Sequence, residues 1–191
     1  MPIGDADELT FSDAAAFEAW LERHVDHRPG VWLKLAKAGP GIPSLSSDEA
    51  VDVGLCFGWI SGQRKSLDDR YYLQKYVPRR PRSRWSLVNV RKVEALTAAG
   101  RMRPAGLAEV EAARADGRWD AAYASQREAE VPDDLAAALA ATPPAARAFD
   151  ALGRSERYAV ILQLLTARSP ETRLRRLTTA IRALESDREK P

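Results

Sequence analysis

The stretch that decides the fold is Phe57-Gly-Trp-Ile-Ser-Gly-Gln-Arg-Lys-Ser-Leu67, then Asp68-Asp-Arg70, then Tyr71-Tyr-Leu-Gln-Lys-Tyr-Val77. Two alternating runs flank three polar residues, a connection short enough for a hairpin, so 58–67 and 71–77 are expected to form paired antiparallel strands. Alternation on the first puts Trp59, Ser61, Gln63 and Lys65 on one face, and Ile60, Gly62, Arg64 and Ser66 on the other. On the second, Tyr72, Gln74 and Tyr76 share a face. Gly58 and Gly62 permit a bulge or the close approach of another backbone. Pro78 and Pro81 end the sheet portion, because proline cannot donate to a ladder.

Upstream, Val31-Trp-Leu-Lys-Leu-Ala-Lys37 alternates Val31, Leu33 and Leu35 against Trp32, Lys34 and Ala36, the period of a half-buried strand. Leu9-Thr-Phe11 predicts a short strand. Ser12 is expected to cap a helix over 13–24 whose apolar face carries Ala16, Phe17, Trp20 and Leu21. Ala38-Gly-Pro-Gly-Ile-Pro43 reads as a loop, and Ser46 with Glu49 makes a capping box for a helix running to Cys56. Downstream the pattern is helical: 84–99 ending at Gly100, Pro104 to Gly117, 133–141, 144–151, 155–167, and 170–186 with Ser169 as cap. Strands early and helices late predict an α+β fold. A small antiparallel sheet with flanking helices is expected over residues 1–125, and a mostly helical segment, 126–191, packed on it.

The 191 residues are 45% apolar and 29% charged, which excludes disordered and collagen-like classes. A single cysteine, Cys56, excludes an intramolecular disulfide, and its apolar setting at a helix C-terminus predicts a buried structural thiol. No apolar run approaches the ~20 residues of a membrane span. Met1–Thr10 is acidic without an apolar core, so a cytoplasmic location without membrane insertion is expected.

Charge is distributed unevenly. Residues 1–62 carry 4 basic and 10 acidic side chains, while 63–103 carry 12 basic and 3 acidic ones. The basic segment either pairs with the acidic first third or attracts an anionic partner. Pro78-Arg-Arg-Pro-Arg-Ser-Arg-Trp85 places four arginines within six residues, and arginine forks suit carboxylate or phosphate. An aromatic and amide-bearing hairpin face framed by guanidinium groups suits a polar, anionic or peptide-like ligand. The expected ligand-binding set is Trp59, Ser61, Gln63 and Tyr72 for stacking and hydrogen bonding, Arg64, Lys65, Asp68 and Asp69 for the rim, and Arg79, Arg80, Arg84 and Trp85 for the wall.

Dinucleotide, P-loop, nucleophile-elbow and zinc-helix signatures are all missing. His24 and His27 flank a polar helix end, and with so few histidines and cysteines no metal or cofactor is expected. Asp68 and Asp69 suit turn capping better than general base work. Three uses of the hairpin region follow from the residues. The first is a non-enzymatic pocket for a small polar, anionic or peptide-like ligand. The second is nucleic-acid binding through 63–103 and its tyrosines. The third is an enzyme with Asp68 or Asp69 as general base beside Arg64.

Several blocks carry a family likeness: Phe57-Gly-Trp-Ile-x-Gly-Gln-Arg-Lys-x-Leu-Asp-Asp69, Pro78-Arg-Arg-Pro-x-Ser-x-Trp-Ser86, Gly100-Arg-Met-x-Pro-Ala-Gly106, Asp116-Gly-Arg-Trp-Asp-Ala-Ala-Tyr123 and Thr172-Arg-x-x-Arg176. With these the chain resembles the YdeI/OmpD-associated, bacteriocin-protection family from about Phe11 to Arg176. The resemblance implies a role in tolerance to cationic antimicrobial peptides and an association with an outer-membrane porin, without a cofactor or catalytic chemistry. With it, the first use becomes binding of a small-molecule or peptide antimicrobial, and the third an antibiotic-modifying enzyme. Ser61 stands where the family usually has an acidic residue, so a contact from that carboxylate to a cationic ligand is missing here.

Overall fold

A computed structural model describes residues 7–37, 42–167 and 169–186 of the chain. Most of the loop expected at 38–43 therefore lies outside the described residues. The chain divides into two compact units, Met1–Ala122 and Tyr123–Pro191.

In the first unit the element order is β1 (Glu8–Leu9), α1 (Ala14–His24), β2 (Val31–Ala36), α2 (Ser47–Cys56), β3 (Trp59–Ser66), β4 (Tyr71–Pro78), α3 (Leu87–Ala98) and α4 (Pro104–Ala115). The sheet order is β1-β2-β4-β3. The α+β class holds, but the sheet is mixed rather than purely antiparallel: β1 runs parallel to β2, while β2, β4 and β3 are antiparallel. The chain leaves β1 through α1 and returns along the same direction, which a helical crossover permits and a tight turn does not.

Helix α1 is capped by Asp13, not by Ser12 as expected: Asp13 Oδ1 accepts from the Ala16 N–H at 2.9 Å, and Ser12 Oγ donates to the Asp13 carboxylate. Helix α2 has the capping box read from Ser46 and Glu49, with the Ser46 N–H bound to Glu49 Oε2 at 2.9 Å and the Glu49 N–H to Ser46 Oγ at 3.2 Å. Along β2 and β4 the alternation is clean. Val31, Leu33, Leu35, Tyr72, Gln74 and Tyr76 face inward, and the residues between them are half-buried. Phe17 and Leu21 of α1 and Ala50 and Val53 of α2 complete that core. Each large apolar side chain so buried contributes on the order of 1.5–3 kcal/mol. The Phe17 and Tyr76 rings meet edge to face at 5.9 Å.

Strand β3 departs from simple alternation. Ser61 pairs with Tyr76, but the next paired residue is Arg64, opposite Gln74. One extra residue is thus inserted on β3, and a bulge flips every later side chain to the opposite face. The buried amide of Gln74 holds the bulge, donating to the carbonyls of Gly62 (2.9 Å) and Gln63 (3.1 Å).

The second unit contains α5 (Asp133–Ala141), α6 (Pro143–Ala151), α7 (Arg154–Leu165) and α8 (Pro170–Ser186) around a core of Leu135, Leu139, Ala145, Phe149, Ile161, Leu164 and Leu184. Ser169 caps α8 as expected, accepting from the Thr172 N–H at 3.2 Å. Arg173 grips Asp134 with two charge-assisted bonds, Nε to Oδ2 at 2.7 Å and Nη2 to Oδ1 at 2.8 Å, tying α8 to the start of α5.

Candidate functional site

The structure separates the expected hairpin site into two populations. Trp59, Tyr72, Arg79 and Trp85 are buried. Ser61, Gln63, Arg64, Lys65, Asp68, Asp69, Arg80 and Arg84 are exposed. Trp59 spends its indole N–H on the Val25 carbonyl at 2.9 Å and meets Trp20 edge to face at 5.9 Å, so its ring is core and not a stacking surface. The Arg79 guanidinium lies 3.5 Å over Trp85 and donates to the Arg84 carbonyl at 3.1 Å, closing the arginine loop on itself. Ser83 Oγ accepts from the Arg80 N–H, and Arg118 reaches the Ser83 carbonyl at 2.8 Å. Arg79 and Trp85 therefore hold the loop together, while Arg80 and Arg84 point to solvent.

The bulge corrects the expected faces of β3. Trp59, Ser61, Arg64 and Ser66 share the inward side with Tyr76, Gln74 and Tyr72, and the Arg64 guanidinium covers the Tyr72 ring at 3.6 Å. Lys65 stands on the outward side opposite Leu73, where its ammonium lies 4.3 Å from the Trp32 ring. At the hairpin tip, Asp68 Oδ1 accepts from the Arg70 and Tyr71 N–H groups at 2.7 and 2.8 Å. Those two backbone donors, the Arg70 bond first, hold its carboxyl below the usual aspartate range. Such a carboxylate is a turn cap with little basicity, as the sequence suggested.

Other expectations resolve similarly. Cys56 is buried, and desolvation pushes its thiol pKa up, which makes it unreactive. His24 stacks on Trp20 at 4.4 Å with its Nδ1 2.8 Å from the Trp20 carbonyl. Among the described residues no group of three or more histidine, cysteine or acidic side chains could hold a metal ion. No helix there is long and apolar enough to cross a membrane.

A cavity of about 440 Å³ opens in the second unit, at a place the sequence did not single out. Phe149 and Ile161 form its floor, with Leu152, Ala129 and Val131 beside them and Gln126, Tyr158, Arg154 and Arg157 at the polar margin. Tyr158 Oη donates to the Ala124 carbonyl at 2.8 Å and Gln126 Nε2 to Ser155 Oγ at 3.2 Å, which pins the 124–126 segment against α7. Arg157 donates through Nε to the Leu152 carbonyl at 3.0 Å, also binds the Asp150 carbonyl, and caps the end of α6. Arg154, first residue of α7, is exposed and in no ion pair among the described residues. The result is a mostly apolar hollow with a cationic lip, within the ordinary size range of small-ligand sites, ~300–1,000 Å³. Two signals in the sequence bore on it: the Val131-Pro132 break and the pair Arg154 and Arg157 three residues apart on one helix face.

Comparison with known protein families finds a match in each unit. Residues 9–109, just over half of the chain, match the family described as Domain of unknown function (DUF8412). The chain belongs to that family. In this DUF8412 member, residues 128–187 also match the family described as Bacteriocin-protection, YdeI or OmpD-Associated. That second match covers Thr172-Arg-x-x-Arg176, whereas the blocks from Phe57 to Gly106 that suggested the resemblance fall within the DUF8412 match. No curated protein and no solved structure matches the chain.

Proposed function

We propose that this protein is a binding protein for bacteriocin protection and that it works through the cavity of its helical unit. One observation carries the reading: every lining residue except Gln126 falls within 128–187, the stretch that matches the bacteriocin-protection family. The sequence suggested a pocket lined by aromatic residues and arginine; Phe149, Tyr158, Arg154 and Arg157 supply those residue types, in α6 and α7 instead of the hairpin. An apolar floor beside an unpaired guanidinium suits an amphipathic ligand, with a hydrocarbon or ring body inside and a carboxylate, sulfonate or phosphate at Arg154. Binding, sequestration included, then needs no group transfer by the protein.

The test pairs a binding assay with a survival assay. Native protein is expected to bind 1-anilinonaphthalene-8-sulfonate, an apolar ring system carrying one anion. Val131→Glu combined with Arg154→Glu alters only exposed side chains and should weaken that binding at least fivefold while leaving the circular dichroism unchanged. Cells lacking the protein should regain survival with the wild-type chain, and not with the double variant, against a bacteriocin that carries an apolar segment and a carboxylate. Full protection by the double variant would sink this reading.

A further inference from the structure

Cations in and beside the basic 63–103 segment differ in what they face. Lys92 and Arg103 are neutralised within the fold: Lys92 lies 2.8 Å from Asp48 and 2.7 Å from Asp52, and Arg103 lies 2.7 Å from Glu18 and 3.5 Å from Glu22. Lys34 of β2 and Lys65, Arg70 and Lys75 of the hairpin, on the outward face of the sheet, are not. Lys65 and Lys75 lie 4.3 and 5.4 Å from the Trp32 ring centre, while Lys34 and Arg70 lie 4.5 and 5.8 Å from that of Tyr71. None of these four cations is in an ion pair among the described residues. Lys75 is pushed toward lower pKa by its partial burial and then by the neighbouring charge of Lys65, a sign that like charges are crowded there. Three carboxylates lie nearby. Asp68 is engaged by backbone N–H groups at the hairpin tip, Asp69 stands next to it in the same exposed turn, and Glu8 sits beside Trp32 at the sheet edge.

We propose that this outward sheet face binds single-stranded nucleic acid, with bases on Trp32 and Tyr71 and phosphates held by Lys34, Lys65, Lys75 and Arg70. Surplus positive charge alone calls for any anion; the rings narrow the choice. Trp32 pairs with Lys75 and Tyr71 with Ala36, four residues further along β2. At a rise of ~3.4 Å per residue and a strand spacing of ~4.8 Å, the two rings are rooted about 14 Å apart. One small aromatic anion cannot reach both, whereas a polymer that repeats flat bases and phosphates can. A duplex hides its base faces and offers the rings nothing to stack on. The cation–ring contacts exchange at little cost, since a base and its phosphate replace ring and lysine with ring–base stacking and an ion pair. This surface belongs to the first unit and the cavity to the second, and the two share no residue.

Fluorescence anisotropy of a labelled twelve-residue oligo(dT) with the full chain tests this. Binding is expected at 50 mM salt, more than tenfold weaker at 300 mM, with a duplex of equal length competing poorly. Trp32→Ala with Tyr71→Ala should weaken binding at least tenfold, and Trp32→Tyr should retain most of it. Lys65→Gln with Lys75→Gln, two changes that leave the core untouched, should lower both affinity and salt slope. Arg154→Glu should leave binding unchanged, which keeps this test apart from that of the cavity. Absence of binding at 50 mM salt, equal affinity for the duplex, binding of phosphatidylglycerol vesicles alone, or indifference to the lysine pair would each overturn the proposal.

Discussion

At the scale of single residues, the first unit depends on places where two backbones nearly touch. Gly106, in the first turn of α4, is the sharpest case. A Cβ added there would stand 2.2 Å from the Cys56 carbonyl oxygen and 2.8 Å from that of Leu55, both backbone atoms that cannot swing aside. The Arg103 N–H donates to the same Cys56 carbonyl at 3.0 Å, so the end of α2 is held where the start of α4 arrives. Glycine to alanine within an exposed helix normally stabilises by about 1 kcal/mol, because alanine has the better propensity. Here the collision reverses the sign. Gly106→Ala is expected to destabilise by about 1–3 kcal/mol, read as a lower urea midpoint at unchanged slope. A raised midpoint would show that α4 can retreat from α2 without loss.

At the scale of the elements, the hairpin is the instructive case, since the bulge on β3 decides what each of its faces offers. Gln74 is the residue that holds it, because its amide occupies two carbonyls the ladder leaves open. Gln74→Leu keeps the volume and abandons both. The expected cost is about 1–3 kcal/mol for unsatisfied polar groups, with faster amide exchange concentrated in β3 while β2 stays protected. Uniform loss of protection across the sheet would instead mean that Gln74 supports the whole sheet. The sequence announced that there is a hairpin and where it turns, and it marked the helices through Ser46 with Glu49, Pro104, Pro132 and Ser169. These signals are local, since a cap or a helix-initiating proline acts within one turn of chain. The extra residue on β3 is only half local: Gly62 marked a place where a bulge is permitted, but that the faces flip beyond Gln63 shows only when the partner strand supplies Gln74. Trp59 and Tyr72 illustrate the same limit, because an aromatic residue that stacks on a ligand and one that fills a core have the same pattern in one dimension. The cavity escaped for a related reason, its floor being Phe149 and Ile161, which helical spacing marks only as buried.

At the scale of the whole molecule, the two units can be watched separately. All five tryptophans, at positions 20, 32, 59, 85 and 119, precede Tyr123, so tryptophan fluorescence reports the first unit, while helical circular dichroism reports both. The buried clusters of the two units share no residue. Arg173→Met removes the two-bond grip on Asp134, a partly exposed pair whose contribution is about 1 kcal/mol at most. For a unit of this size that corresponds to roughly 4–8 °C in melting temperature. The expected result is an earlier helical transition by circular dichroism with the tryptophan midpoint unmoved. Acid should act in the same place, and the sign follows from the pair. Arg173 first, and the Leu135 N–H among lesser causes, hold the Asp134 carboxyl below its ordinary value. Its contribution is therefore complete above the unfolded aspartate pKa, about 3.9, and is lost as pH falls through the lower folded value. Asp134→Asn should flatten that acid limb of the circular-dichroism transition and leave the fluorescence transition as it was. If both signals shift together in either variant, the two cores unfold as one cooperative unit, and a ligand bound in the helical cavity would then also stabilise the sheet.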